Sequence, residues 1–141
     1  MIRPLATLGA LLMLTVALSG IAMPSRASAA GIAVRTQNAT NQFPNGINFS
    51  AVIDSDANIS DVRFHFHILP DGVDAQLKPQ CNTGTSVTCT AILGSTAQQY
   101  MVPGAKIDYS WEITDASGAK LQTDEQTTMY QDTRFQWQQL S

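Results

Sequence analysis

No Gly-x-Ser-x-Gly nucleophile turn, no His-Glu-x-x-His zinc motif and no glycine-rich phosphate loop occurs in the 141 residues. These absences leave no hydrolase, zinc-peptidase or nucleotide signature on which a catalytic assignment could rest. Histidine occurs twice, at 65 and 67, and cysteine twice, at 81 and 89. The 8 basic residues are scattered. There is therefore no basic footprint for nucleic acid and no polybasic patch for anionic lipid. No long run has the 3.6-residue period of an amphipathic helix, and no internal repeat is visible.

What is present begins with a targeting segment. Arg3 supplies a short positive start, Leu5 to Ala22 carries no charge, Pro24 interrupts, and Ala27-Ser28-Ala29 offers small residues where a signal peptidase cleaves. This is the pattern of a secretory signal peptide, spanning 1–30 as a signal-peptide helix, with cleavage expected after Ala29 or Ala30. The competing reading is an uncleaved anchor, since the uncharged run is at the lower limit for crossing a bilayer. A secreted or extracytoplasmic location follows, with the cell surface as the alternative if the segment stays. The signal segment engages the membrane only during export. Removing 1–30 takes Arg3 and Arg26 but no acidic residue, so 6 basic groups face 11 acidic ones, a net charge of −5. That charge favours solubility.

The remaining residues, about 111, are the size of one domain. Their apolar positions recur with period two between closely spaced turns, which predicts short strands. Strands are expected over 31–36, 46–54, 60–69, 87–93, 106–114, 119–123 and 127–130. The stretch 73–80 reads as irregular or as a weak edge strand, interrupted by Pro79, and 98–102 as a short strand or the lead-in to the Pro103-Gly104 turn. Val62, Phe64, Phe66 and Ile68 alternate with Arg63, His65 and His67. Tyr109, Trp111 and Ile113 alternate with polar residues in the same way. One dry and one wet face is the pattern of an antiparallel sheet. About seven such strands predict an all-β fold, an immunoglobulin-like antiparallel β-sandwich over 31–132 with these apolar faces between its sheets.

Cys81 and Cys89 enclose a short glycine-containing loop, and export permits a disulfide. Two thiols with no neighbouring ligand would be only half a zinc site. His65 and His67 project to the same strand face as Asp61, with Arg63 between them. A metal would need a further ligand and would meet the Arg63 charge, so the pair reads as a solvent-facing edge, and no metal or cofactor is expected. Asp54, Asp56 and Asn58 have half the spacing of a calcium loop, but Ile59 and His65 stand where it needs Gly and Glu. They read as a polar turn. Asn38, Asn48 and Asn58 head Asn-x-Ser/Thr sequons.

The chain closes on Tyr130-Gln-Asp-Thr-Arg134-Phe135-Gln-Trp137, then Gln-Gln-Leu-Ser141. Phe135, Trp137 and Leu140 put apolar surface at this end, where a neighbour is needed to cover it. Ile107-x-Tyr109-x-Trp111-x-Ile113-x-Asp115-x-x-Gly118, with Thr123-x-x-Gln126-Thr127 and Tyr130-x-Asp132-x-Arg134-Phe135-x-Trp137, resembles the end of a particular domain. It is the N-terminal β-sandwich domain of exported bacterial proteins of the peptidase MA-like, gluzincin-type group. The resemblance is close over roughly 100–141 and loose before that. It implies that 133–141 is a tail, or a truncated linker leading to a zinc metallopeptidase domain. The family's zinc ligands have no counterpart here, so no catalytic residue carries over. The expectation is an exported non-catalytic module for binding or scaffolding, the accessory domain of a larger secreted protein. Its partner would be a peptidase domain or another exported protein, contacted by Arg134, Phe135 and Trp137. The alternative is the truncated N-terminal part of a secreted zinc metallopeptidase.

Overall fold

In the computed structural model, residues 28–134 are described apart from 30, 71 and 98. The expected signal helix and the tail residues Phe135 and Trp137 fall outside the described residues. The described chain forms ten strands and no helix. They are β1 (Ser28–Ala29), β2 (Ile32–Asn41), β3 (Gly46–Ser55), β4 (Ile59–Leu69), β5 (Val73–Leu77), β6 (Gln80–Cys81), β7 (Ser86–Gly94), β8 (Lys106–Asp115), β9 (Lys120–Gln122) and β10 (Gln126–Met129). Three of them, β1, β6 and β9, are only two or three residues long. The expected strand over 119–123 is the short β9, and the weak stretch 73–80 supplies β5.

Two antiparallel sheets make a β-sandwich. One has the order β1-β2-β3-β7-β6, and the other β10-β8-β4-β5, with β9 also on β8. The alternation places the apolar residues as expected. Ile47, Phe49, Ala51 and Ile53 of β3 face Val62, Phe64 and Phe66 of β4 and Tyr109, Trp111 and Ile113 of β8 within a single buried core. Ile68 departs from the pattern: it is only half-buried, being one residue from the end of β4. Rings knit the two sheets together, with Phe49 lying 4.6 Å from Phe64 and 4.8 Å from Tyr109 between centroids. Trp111 meets Phe64 edge-on at 4.8 Å. Such tilted arrangements suit the ring quadrupoles.

The structure sharpens three local readings. The first strand continues to Asn41 rather than stopping near Thr36. A bulge between Val34 and Thr36 absorbs one residue, so Gln37, Ala39 and Asn41 still oppose the buried Ala51, Phe49 and Ile47. The described part of 98–102 forms no strand, because Met101 is drawn inward as a plug and its N–H is held by Ser95 Oγ at 3.1 Å. The stretch 73–80 is divided between the sheets. β5 pairs with β4, Pro79 interrupts, and Gln80 begins β6 on β7 of the other sheet.

Every long strand runs between the same two ends of the sandwich. The turns 55–58, 82–85 and 115–119 share one pole, joined by the Ser55 N–H on Thr85 O and the Ala116 N–H on Asn58 O. The turn 42–45, the connection 95–105 and the segment after β10 share the other. There the Ser95 N–H donates to Asn45 O, and the Gly104 N–H donates to Tyr130 O.

Candidate functional site

The outer face of the β10-β8-β4-β5 sheet carries most of the ionisable side chains. Strand register sets Gln76, His65 and Ser110 in one row and Asp74, His67, Asp108 and Thr127 in the next. All of these but Thr127 line a groove of about 400 Å³, together with Glu125. Within it His65 Nε2 lies 3.0 Å from Glu112 Oε2, towards β8, whereas His67 Nδ1 meets Asp74 on β5. Thr127 donates to Asp108 at 2.5 Å. The two imidazoles share a face, as the spacing predicts, but they lean to opposite neighbours and do not converge. Among the described residues no group of three His, Cys, Asp or Glu is placed to hold a metal ion. Arg63 lies in the next row and turns back to Asp61 at 3.0 Å. Several ionisable groups on this face are thus paired on their own sheet, His65 with Glu112, His67 with Asp74 and Arg63 with Asp61, and exposed pairs of this kind keep the face solvated.

Cys81 and Cys89 form a disulfide across β6 and β7, with Cα atoms 4.1 Å apart. Residues directly opposite on adjacent antiparallel strands come this near only at non-hydrogen-bonded pairs, where side chains are closest. Asp54 lies near the end of β3 and Asp56 in the polar turn that follows. Asp54 is tied to Arg35 and to the Ser86 hydroxyl, and the Asp56 N–H is tied to Gly31 O.

The apolar pole is assembled from distant parts of the chain. Tyr130, 1 % exposed, plugs it. Its hydroxyl donates to Pro44 O at 2.8 Å, its N–H donates to Ala105 O, and its ring lies 5.3 Å from that of Phe43. Two residues on, Asp132 grips Arg134 through Nε at 2.8 Å and Nη2 at 2.7 Å. The bond to Arg134 holds the Asp132 carboxyl below the usual carboxylate range and raises Arg134 in turn. The guanidinium stands 5.1 Å from the Phe43 ring centre, a cation–π distance. The start of the tail is thereby braced against the β2–β3 turn. Of the three residues expected to meet a partner, Arg134 is at this brace, while Phe135 and Trp137 lie outside the described residues.

Four large apolar side chains are exposed among the described residues, namely Ile92, Tyr100, Val102 and Met129. All four belong to the end of β7, the connection to β8 and the end of β10, the segments that converge on Tyr130. Among the described residues the turns of the opposite pole expose no large apolar side chain. Sequence reasoning singled out only the tail here. Phe43 stands next to a proline in a turn, the one local sign that an aromatic was placed there for packing between loops.

The fold therefore defines an antiparallel β-sandwich module with one polar sheet face and one apolar pole. No protein-family model and no curated protein matches the chain. Among solved structures it is similar to a carbohydrate-binding module, a Br derivative titled BhCBM56, with a TM-score of 0.44 and 9 % identity. That likeness covers 75 % of this chain and 99 % of the other, and at this level it carries no assignment of ligand.

Proposed function

We propose that the chain is an exported, non-catalytic module for binding or scaffolding, the accessory domain of a larger secreted protein, and that it meets its partner at the apolar pole. One observation carries this reading: Tyr100 and Val102, both large, apolar and exposed, sit in the connection at the pole where the C-terminal segment leaves, and Ile92 and Met129 lie near the ends of the strands that lead to it. Exposed apolar surface gathered in one place is characteristic of a surface that another protein covers. Arg134 stands at this pole against Phe43, and Phe135 and Trp137, which follow it in the sequence, complete the set assigned to the contact. The disulfide favours an oxidising compartment. The alternative, the N-terminal part of a secreted zinc metallopeptidase, draws support from the Asp132–Arg134–Phe43 brace. A brace of that kind fixes the direction in which a following domain would start.

Site-specific photocrosslinking in the secreting host tests the proposal. A photoreactive residue at Val102 is expected to give one discrete protein adduct, lost when Phe135→Ala and Trp137→Ala are combined. The same residue at Thr83, on the other pole, is expected to give none. Equal labelling from both poles would refute the assignment.

A further inference from the structure

A different surface, the free edge of β2, leads to an inference that stands or falls independently of the pole. Among the described residues β1 covers only Ile32 and Ala33 of this strand, leaving Val34–Asn41 with a strand partner on one side alone. No turn or loop backbone hydrogen bond reaches Val34–Thr40 from the open side among the described residues. Natural edge strands are usually blunted by lysine, proline or brevity. Here Thr36-Gln-Asn-Ala-Thr-Asn41 has none of these. The only charge on the strand, Arg35, lies in the bulge and is bound to Asp54.

The second observation concerns the side chains of this edge. Four buried side-chain polar atoms lack a hydrogen-bond partner among the described residues, and two of them, Gln37 Oε1 and Asn41 Oδ1, hang from β2. Both side chains point to the core side, since they oppose Ala51 and Ile47. Asn41 already spends one N–H on Gln131 O at 2.5 Å. Its oxygen, and that of Gln37, still lack donors. A strand added at this edge would have to present inward-facing N–H groups at two positions four residues apart.

β2 itself meets that requirement. We propose that two copies of the chain pair antiparallel through β2, about a two-fold axis at Ala39. In that register Ala39 faces its own counterpart, Gln37 faces the partner copy's Asn41, and Asn38 faces the partner copy's Thr40. A carboxamide carries both a donor and an acceptor, so the Gln37–Asn41 pair is reciprocal and supplies each orphaned oxygen with an N–H. Centring on Asn38 instead would set Gln37 against Ala39 and Asn41 against Arg35, leaving an amide unanswered. The isologous interface also places no like charges together, because Thr36–Asn41 is uncharged. The register uses Gln37–Asn41 only, so it is compatible with β1 in place.

Sedimentation of the purified full chain across a concentration series tests the inference. The expected result is a concentration-dependent doubling of mass. Asn38→Lys combined with Thr40→Lys would bring lysines opposite one another across the axis, at positions exposed in the single chain. This variant is expected to remain a monomer with an unchanged melting curve. Ala39→Cys, oxidised mildly, is expected to trap a covalent dimer far more completely than Ala116→Cys at a distant turn. A wild type that stays monomeric at every concentration would overturn the proposal, as would Ala39→Cys crosslinking no better than the control. A dimer undiminished by the two lysines would assign dimerisation to another surface and overturn it too.

Discussion

Asp115 shows how one side chain sets a turn and a pH limit together. It is the one buried carboxylate among the described residues. It accepts from the Ser117 hydroxyl at 2.6 Å, the Ser55 hydroxyl at 2.9 Å, and the N–H groups of Ser117 and Ala119 at 2.9 and 3.0 Å. These bonds close the turn after β8, where Gly118 takes φ +87°, a backbone region that costs glycine little. The Ser55 contact ties the turn to the other sheet. The Ser117 hydroxyl does most to lower the Asp115 pKa from 3.8, burial opposes it, and Ser55 and the two N–H groups add to the lowering. A lowered folded-state pKa means the stabilisation is complete above the unfolded value and disappears as the pH falls through the folded one. Melting temperatures across an acid series should show it. Asp115→Ala is expected to destabilise at neutral pH and to lose part of the wild type's decline below about pH 4. If both proteins decline in parallel, the carboxylate is not a source of the acid sensitivity. The sequence marks this residue only as the first member of an Asp-Ala-Ser-Gly turn. Its bond to Ser55 spans 60 positions, which no local pattern announces.

At the scale of elements, alternation is legible and partnership is not. Which residues of β3, β4, β7 and β8 face inward follows from a two-residue period, a local property of the chain. Which strands share a sheet depends on long-range closure, and the division at Pro79 between β5 and β6 is invisible to any window along the sequence. β6 is the element most dependent on a covalent bond. Its two residues pair with Thr90 and Cys89, and the disulfide joins the second pair. Closing a loop of 8 positions constrains the unfolded chain by ~2–3 kcal/mol on the entropy model. Reduction is therefore expected to lower stability in urea by about that amount. Hydrogen exchange should quicken first at Thr90 and Thr88, where β6 and the Asn82 turn lie against β7. Unchanged exchange there after reduction would mean that β6 stays docked through its backbone alone.

The whole molecule is one core held between two sheets, and its poles differ more than its faces. Of the apolar pole, the sequence drew attention to Arg134 alone among the described residues, through the tail it begins. Phe43, Tyr100 and Val102 join it only through folding, since three separate connections must meet around Tyr130. The same non-local logic governs stability. Phe49 belongs to one sheet and is fully buried against Phe64 and Tyr109 of the other. Truncating such a ring costs ~3–5 kcal/mol through lost burial and the cavity left behind. That is a large share of the ~5–15 kcal/mol that holds a domain of this kind together. Phe49→Ala is therefore expected to leave a marginal fold, and the wild type is expected to unfold as one unit. In a Trp137→Phe background, Trp111 is the sole tryptophan and reports the packing between the sheets. Its fluorescence and the far-ultraviolet dichroism should trace the same urea transition in the parent, and Phe49→Ala should shift both together. If the fluorescence transition came first, the sheets would be separating before they melt, and the ring contacts through Phe49 would not be what makes the two sheets one cooperative structure.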